Sequence, residues 1–203
     1  MNITQIIDKE IKQMWLNEIA EDYREHRLLK EDSLKNAFYH HLRNRLGDDF
    51  LDKNNLRIFT EFSDGMLHGT KKVADIAIVQ MDNPSGGYSK PLREYAEKIF
   101  AIIELKYKNG TASTNENINK DVQKLKEYIQ IHNINCQYYL AVIQEAHLDR
   151  QNWVNGNAAK GWAKGKVTEL TASYDKDYEI QFDIVTYNGL NLNIKRDAQY
   201  EHK

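Results

Sequence analysis

The sequence predicts an α/β protein in which short apolar strands form a central sheet and amphipathic helices cover it. Apolar runs of strand length recur, as at residues 99–108 and 137–143. Apolar residues at helical spacing mark other segments, such as 28–47. Near the C-terminus, apolar and polar residues alternate on both sides of the turn at 175–177, which indicates a β-hairpin. The 203 residues, 41% of them hydrophobic, suffice for one domain with a substantial core.

The first segment, residues 5–28, carries apolar side chains at helical spacing with acidic and basic residues between them. These apolar residues are Ile6, Ile7, Ile11, Met14, Trp15 and Ile19. We expect an amphipathic helix that packs on the domain. The alternative is that the helix joins two copies of the chain or binds a protein partner.

The second helix is predicted over residues 28–47, where Gly47 ends it. Its apolar face includes Leu34 and Phe38, and Glu31 lies on that same face near the start of the helix. A carboxylate there is either a first-turn residue favoured by the helix dipole or part of a functional site.

An acid and a base end an apolar strand at residues 99–108. Side chains in a strand alternate between faces, so Glu104 and Lys106 share one face. A strand apolar on both faces is normally covered, and burying these two charges costs several kcal/mol unless each finds a partner. The sequence therefore indicates a functional pair here, or else an ion pair at the solvated end of the strand.

A second acid interrupts the strand predicted at residues 72–79, where Asp75 stands among apolar residues. If this strand pairs antiparallel with the Glu104 strand, opposite side chains approach to about 4.5–5.5 Å. Two carboxylates at that distance repel each other unless a metal ion or a proton lies between them. Asp75 and Glu104 are therefore candidates for sharing one cation.

The pattern Ala74-Asp75 followed by Glu104-Leu105-Lys106 resembles the PD-(D/E)XK nuclease superfamily, which has the restriction-endonuclease-like fold. The order of a strand, the two motif strands, a charged helix and a further strand is similar too. The resemblance covers a core of about residues 25–145, and Ala74 replaces the family's proline. It implies a mixed central sheet flanked by helices. The N-terminal helix at 5–28 and the C-terminal extension at 146–203, which contains the hairpin, come from the residue patterns alone, and we expect them to form one domain, 1–203, with this core.

The resemblance also implies a chemistry. Asp75, Glu104 and the carbonyl of Leu105 would bind Mg²⁺ or Mn²⁺, for which oxygen ligands are suited. Lys106 would assist the attacking water, and Glu31 would be the acid that such proteins often carry on the helix before the sheet. The expected function is thus a metal-dependent nuclease that hydrolyses phosphodiester bonds, with DNA the expected nucleic-acid partner.

Two further residues have a structural alternative. Glu61, on the predicted strand 56–62, is an accessory acid for the metal or pairs with Lys71 or Lys72. Lys124, on the helix after the motif, contacts phosphates or is simply a solvated helix charge.

A basic and aromatic cluster lies beyond the core. Its lysines, Lys160, Lys164 and Lys166, stand near Trp153 and Trp162. This composition can bind phosphates and stack on bases, but it is equally typical of a surface loop anchored by two indoles.

Composition excludes several classes of protein. The net charge of −2 gives no global attraction to nucleic acid, so a local basic patch would have to supply it. No apolar run approaches the ~20 residues of a membrane span, and the N-terminus lacks a signal-peptide pattern, so we expect no membrane partner and a cytoplasmic location. The single cysteine excludes an intramolecular disulfide.

Two alternatives to the nuclease remain. The chain is a binding protein on the same scaffold that cuts nothing, or an unrelated α+β module with ordinary surface ion pairs.

Overall fold

The computed structural model describes residues 1–63, 72–82, 91–108, 114–132, 134–145, 152–154 and 156–187. The helices are α1 (Ile3–Met14), α2 (Ala20–Arg24), α3 (Glu31–Leu46), α4 (Asp48–Lys53), α5 (Thr114–Gln130) and α6 (Gly156–Lys160). The strands are β1 (Leu56–Phe62), β2 (Ala74–Met81), β3 (Ala96–Lys108), β4 (Gln137–Gln144), β5 (Val167–Tyr174) and β6 (Ile180–Thr186). Most of the connections that the sequence predicts after β2 and after β3, and the polar C-terminus, lie outside the described residues.

The six strands form one sheet in chain order, β1-β2-β3-β4-β5-β6. Strands β1, β2 and β3 pair antiparallel, β3, β4 and β5 pair parallel, and β6 returns antiparallel to β5. The predicted α/β class with a mixed sheet flanked by helices is therefore confirmed. The predicted hairpin is present, and it continues the central sheet through the pairing of β5 with β4.

The centre of the sheet is formed by β3 and β4, which are buried along most of their length. Their near-continuous apolar sequences fit this position, since a strand covered on both faces needs apolar residues on both. Strand β3 begins at Ala96, three residues before the predicted start, because its first residues still pair with the end of β2 although charged residues lie among them.

One face of the sheet is covered by the N-terminal helices. Helix α1 begins with a capping box between Asn2 and Gln5 and continues through a π-helical turn, Trp15–Ile19, into α2. Its apolar stripe is buried in the core with α3 and the sheet, so the predicted packing on the domain is confirmed. The helical segment ends at Arg24 rather than at residue 28. Association with a second chain through another face of this helix stays a prediction.

The opposite face of the sheet is covered by α5 and by the segment around α6. The apolar stripe of α5 packs there through Ile118, Leu125 and Ile129. Trp153 and Trp162 pack against the same apolar cluster. The sheet is thus the middle layer of three, and α3 and α5 lie on opposite sides of it. No helix in the described ranges combines the length and apolarity needed to cross a bilayer.

Candidate active site between α3, α5 and the end of β2

The candidate site begins where the pairing of β2 with β3 ends. Ile76 and Ile103 form the last residue pair of this antiparallel ladder, and Asp75 and Glu104 come one residue beyond it. There the backbone N–H of Leu105 donates to Asp75 Oδ2 at 2.7 Å. The prediction that the two acids lie on neighbouring antiparallel strands is confirmed, and Asp75 is fixed directly to the strand that carries Glu104.

Glu104 is completely buried and only half paired. Its Oε2 accepts a hydrogen bond from Lys124 Nζ on α5 at 2.6 Å, while its Oε1 has no hydrogen-bond partner among the described residues. Burial raises the pKa of Glu104 well above its ordinary value, and the charges of Asp75 and Asp121 add to the rise while Lys124 opposes it. Burying a carboxylate oxygen without a partner costs free energy. The Oε1 atom of Glu104 is therefore a candidate ligand atom for a cation.

Asp75 is less buried, with 16% of its side chain exposed. Its Oδ1 lies 3.3 Å from Lys35 Nζ, which extends from α3. The same ammonium group pairs with Glu61 at the end of β1. Asp75 therefore has a different partner at each oxygen, a lysine at one and a main-chain N–H at the other.

Lys106 is held between the two helices that flank the site. Its Nζ lies 3.0 Å from Glu31 Oε2 on α3 and 3.2 Å from Asp121 Oδ2 on α5. Burial lowers the pKa of Lys106, but Asp121 and Glu31 outweigh it, so the pKa lies above its ordinary value. Burial likewise raises the pKa of the Asp121 carboxyl, against the opposing charge of Lys106. In this arrangement Lys106 is an ammonium group paired with two carboxylates.

Together these side chains form what we call the acid–lysine cluster. It contains five carboxyl groups and three ammonium groups, from Glu31, Glu61, Asp75, Glu104, Asp121, Lys35, Lys106 and Lys124. With every group ionised, the cluster carries two negative charges in excess. That excess equals the charge of one divalent cation.

The structure brings most of the predicted site residues together. Asp75, Glu104, Lys106 and Glu31 all belong to the acid–lysine cluster, and Leu105 is fixed within it through its N–H. The carbonyl of Leu105 as a metal ligand stays a prediction.

Lys35 and Asp121 were not predicted as site residues. Lys35 stands four residues after Glu31, one turn further along the same side of α3. Asp121 stands three residues before Lys124 on α5. Both could have been found from these spacings, had the orientation of the helices over the sheet been known.

The structural alternative for Glu61 needs a correction. Lys72 pairs with Glu127 on α5, and Glu61 pairs with Lys35 instead. The reason is that the start of α3 lies over the end of β1, which brings Lys35 closer. Lys71 is outside the described residues. Glu61 adopts a left-handed backbone conformation, with φ of 51°, an uncommon state for a non-glycine residue.

The predicted nucleic-acid-binding lysines occupy two places. Lys124 contacts Glu104 inside the acid–lysine cluster. Lys160 and Lys164 are exposed near α6 and Lys166 is half-buried, at the end of the sheet where β4 and β5 begin. The two indoles of this region pack on the apolar core, as the loop alternative predicts, and the lysines remain available to a polyanion. Nucleic-acid contact by these four lysines stays a prediction.

The donor set of the cluster fits Mg²⁺ or Mn²⁺. No group of three or more His, Cys, Asp or Glu side chains within the described ranges is arranged to hold a metal ion. Mg²⁺, however, commonly binds through only one or two carboxylates, with waters and substrate phosphates completing its shell. Asp75 and Glu104 supply two carboxylates, and the buried Oε1 of Glu104 is an oxygen without another partner in the described chain.

Comparison with known proteins gives two solved structures. One is NucC from E. coli MS115-1 in its cAAA-bound form, with a TM-score of 0.45 and 10% sequence identity, covering 94% of this chain and 86% of that chain. The other is NucC from P. aeruginosa ATCC27853, also cAAA-bound, with a TM-score of 0.43 and 8% identity, covering 94% of this chain and 87% of that one. No protein-family model and no curated protein sequence matches.

Proposed function

We propose that this chain is a metal-dependent nuclease that hydrolyses phosphodiester bonds, with DNA as the expected substrate. The observation that carries the proposal is the buried Oε1 of Glu104, which has no partner among the described residues and lies in a cluster that has two more carboxyl groups than ammonium groups. A purely structural cluster is expected to balance its charges and pair its buried oxygens. A cluster that binds a divalent cation is expected, before the cation binds, to have an excess of negative charge and an oxygen without a partner.

In this proposal Asp75, Glu104 and the carbonyl of Leu105 hold Mg²⁺ or Mn²⁺. When bound, such an ion supplies a water of lowered pKa and neutralises charge that develops on the phosphate. The backbone N–H of Leu105 fixes the Asp75 carboxylate beside the strand that carries Glu104. Burial keeps Glu104 away from bulk water, which strengthens its attraction for a cation.

Lys106 is the proposed group that acts on the attacking water. Glu31 and Asp121 hold its Nζ from two sides, at 3.0 and 3.2 Å. Their negative charges keep the amine protonated, because they raise its pKa. Lys106 would therefore orient the water or donate to the phosphate, rather than remove a proton from the water. Asp121 and Glu31 act as positioning residues for it.

A second function is favoured by the ion pairs of Lys106 themselves. If Glu31 and Asp121 serve only to satisfy this lysine, the chain is a binding protein on the same scaffold and cuts nothing. The two functions differ in whether Glu104 binds metal, so metal binding separates them.

The experiment combines calorimetry with cleavage assays. Mn²⁺ should bind the wild-type protein, and DNA should be cut in the presence of Mg²⁺ or Mn²⁺ but not with a chelator. Glu104→Gln should lose both metal binding and cleavage, because the neutral amide is a poor ligand for these ions. Several forms of DNA and RNA should be offered with each ion.

Glu116→Gln is the matched control, since Glu116 lies on the exposed side of α5, paired with Lys120. It should behave like the wild type in both assays. Failure of the wild type to bind Mn²⁺ would reject the nuclease and leave the binding protein.

A further inference from the structure

Lys35 has no part in the mechanism above, yet it contacts a proposed metal ligand. Its Nζ lies 3.3 Å from Asp75 Oδ1 and pairs at the same time with Glu61. Only 15% of its side chain is exposed, against 62% for Glu61. An ammonium group thus already neutralises Asp75 on the side of the site that faces α3.

The two proposed metal ligands differ in which oxygen is open. Glu104 holds Lys124 with Oε2 and leaves Oε1 without a partner in the described chain. At Asp75 both oxygens are engaged, Oδ2 with the N–H of Leu105 and Oδ1 with Lys35. A cation shared by the two carboxylates therefore finds an open oxygen on Glu104 and an occupied one on Asp75.

Of the two partners of Asp75, only one is able to move. The N–H of Leu105 belongs to a buried central strand, whereas the Lys35 ammonium group is at the end of a flexible four-carbon chain. A divalent cation and an ammonium group at the same oxygen repel each other strongly in a partly buried site.

From these contacts we propose that Lys35 holds the place of the metal ion at Asp75 in the metal-free protein and leaves that oxygen when Mg²⁺ or Mn²⁺ binds. This inference rests on the proposed function, since it requires Asp75 to be a metal ligand. Glu61 gives the displaced ammonium group a remaining partner, and its exposure places that ion pair toward solvent. In the metal-free protein the Lys35 contact thus neutralises the Asp75 carboxylate, at the cost of weaker metal binding.

The first test uses the wild-type protein and an amine-acetylating reagent. Acetylation of each lysine is followed by mass spectrometry with and without saturating Mn²⁺. Lys35 should react several-fold faster when Mn²⁺ is bound, because its side chain moves outward. Lys30 is the internal control: its side chain is 68% exposed and pairs with Asp32, so its rate should not change. An unchanged or slower rate at Lys35, with Mn²⁺ bound, would overturn the inference.

The second test measures Mn²⁺ affinity by calorimetry. Lys35→Met removes the competing charge and should tighten Mn²⁺ binding on the order of tenfold. Lys35→Arg keeps the charge and should stay near the wild type, as should Lys30→Met, the matched control on the exposed start of α3. Unchanged or weaker binding by Lys35→Met would contradict the proposal.

The outcomes separate this inference from the proposed function. If the wild type binds no Mn²⁺, both fail together. If it binds Mn²⁺ but either the acetylation of Lys35 or the affinity of folded Lys35→Met fails to change as expected, only the inference on Lys35 fails. If Lys35→Met does not fold, the acetylation of the wild-type protein decides.

Discussion

Two buried acid–lysine pairs lie on opposite faces of the sheet, and they differ in whether both carboxylate oxygens have a partner. Under the N-terminal helix, Asp8 Oδ2 lies 2.7 Å from Lys12 Nζ, and Asp8 Oδ1 accepts a hydrogen bond from the Tyr139 hydroxyl at 2.8 Å. Under α5, Glu104 Oε2 lies 2.6 Å from Lys124 Nζ. Its Oε1 is buried without a partner among the residues that the structure describes.

The difference separates a structural ion pair from a candidate ligand. A buried ion pair is tolerated when additional hydrogen bonds satisfy its remaining atoms, and the Asp8 pair meets that condition through Tyr139. The Glu104 pair does not, so its burial lacks a structural compensation. Burial of a carboxylate is therefore a poor indicator of function by itself, and an unsatisfied oxygen is a better one.

The largest expected effect comes from Lys106→Ala. If Lys106 orients the attacking water or donates to the phosphate, this change should lower metal-dependent DNA cleavage by a factor on the order of 10²–10³, the usual cost of removing one donor that stabilises developing charge. The fold and the Mn²⁺ affinity should be kept, because the proposed ligands remain. Single-turnover cleavage and calorimetry measure the two quantities.

Lys120→Ala, a change at an exposed position of α5, is the control for Lys106→Ala. Cleavage that proceeds equally well in Lys106→Ala and in this control would exclude Lys106 from the chemistry.

The second largest expected effect is a loss of stability when the Asp8–Lys12 pair, on the other face of the sheet, is broken. Lys12→Met leaves the Asp8 carboxylate buried without its lysine and should lower the free energy of unfolding by about 3–5 kcal/mol. Denaturant unfolding measures the loss, and Lys9→Met on the more exposed side of α1 should cause little change. Any cleavage activity, measured per folded molecule, should stay near that of the wild type.

Lys12→Met should not affect Mn²⁺ binding, and loss of Mn²⁺ binding by a folded Lys12→Met variant would contradict the distinction between the two pairs. The Asp8 pair would then be coupled to the candidate site. Partners at both oxygens of Asp8 would no longer show that the pair is purely structural.

Much of the fold could be predicted because apolar patterns report it directly. Strand β1 has the predicted limits, 56–62, and the β5–β6 hairpin turns where expected. Helix α4 was missed because its six residues, directly after Gly47, are too few for a helical pattern to show. The interruption of the N-terminal helix by a π-helical turn has no signal in the spacing of its apolar residues.

The candidate site could be predicted only where it lies on the strands and at the start of α3. Asp75, Glu104 and Lys106 break apolar strands, and Glu31 breaks an apolar helix face. Lys35 and Asp121 carry no such signal, because charged residues on the flank of a helix are ordinary. Which flank meets the sheet is decided by how α3 and α5 pack on it, and periodicity does not contain that information.

The smallest expected effect is the dependence of stability on pH, and it tests the incomplete pair directly. Burial raises the pKa of Glu104 in the folded metal-free protein above its ordinary value of 4.5. A carboxyl group with a raised folded pKa stabilises the fold while it is protonated, and that contribution is lost as the pH rises through the folded pKa. Without metal, the contribution of Glu104 to the stability of the wild type should therefore decrease as the pH rises above about 4.5.

Glu104→Gln cannot lose a proton, so its free energy of unfolding should fall less than that of the wild type between about pH 5 and pH 8. In a chelator, the variant should consequently be as stable as the wild type or more so at the upper end of this range. Added Mn²⁺ should reverse the order by stabilising only the wild type, since a ligand that binds the folded state raises its melting temperature. Asp8→Asn is the comparison on the other face: it removes the charge opposite Lys12 and should lose stability with or without Mn²⁺. Parallel stability curves for Glu104→Gln and the wild type across this pH range would show that Glu104 is as well compensated as Asp8, and the contrast between the two faces would disappear.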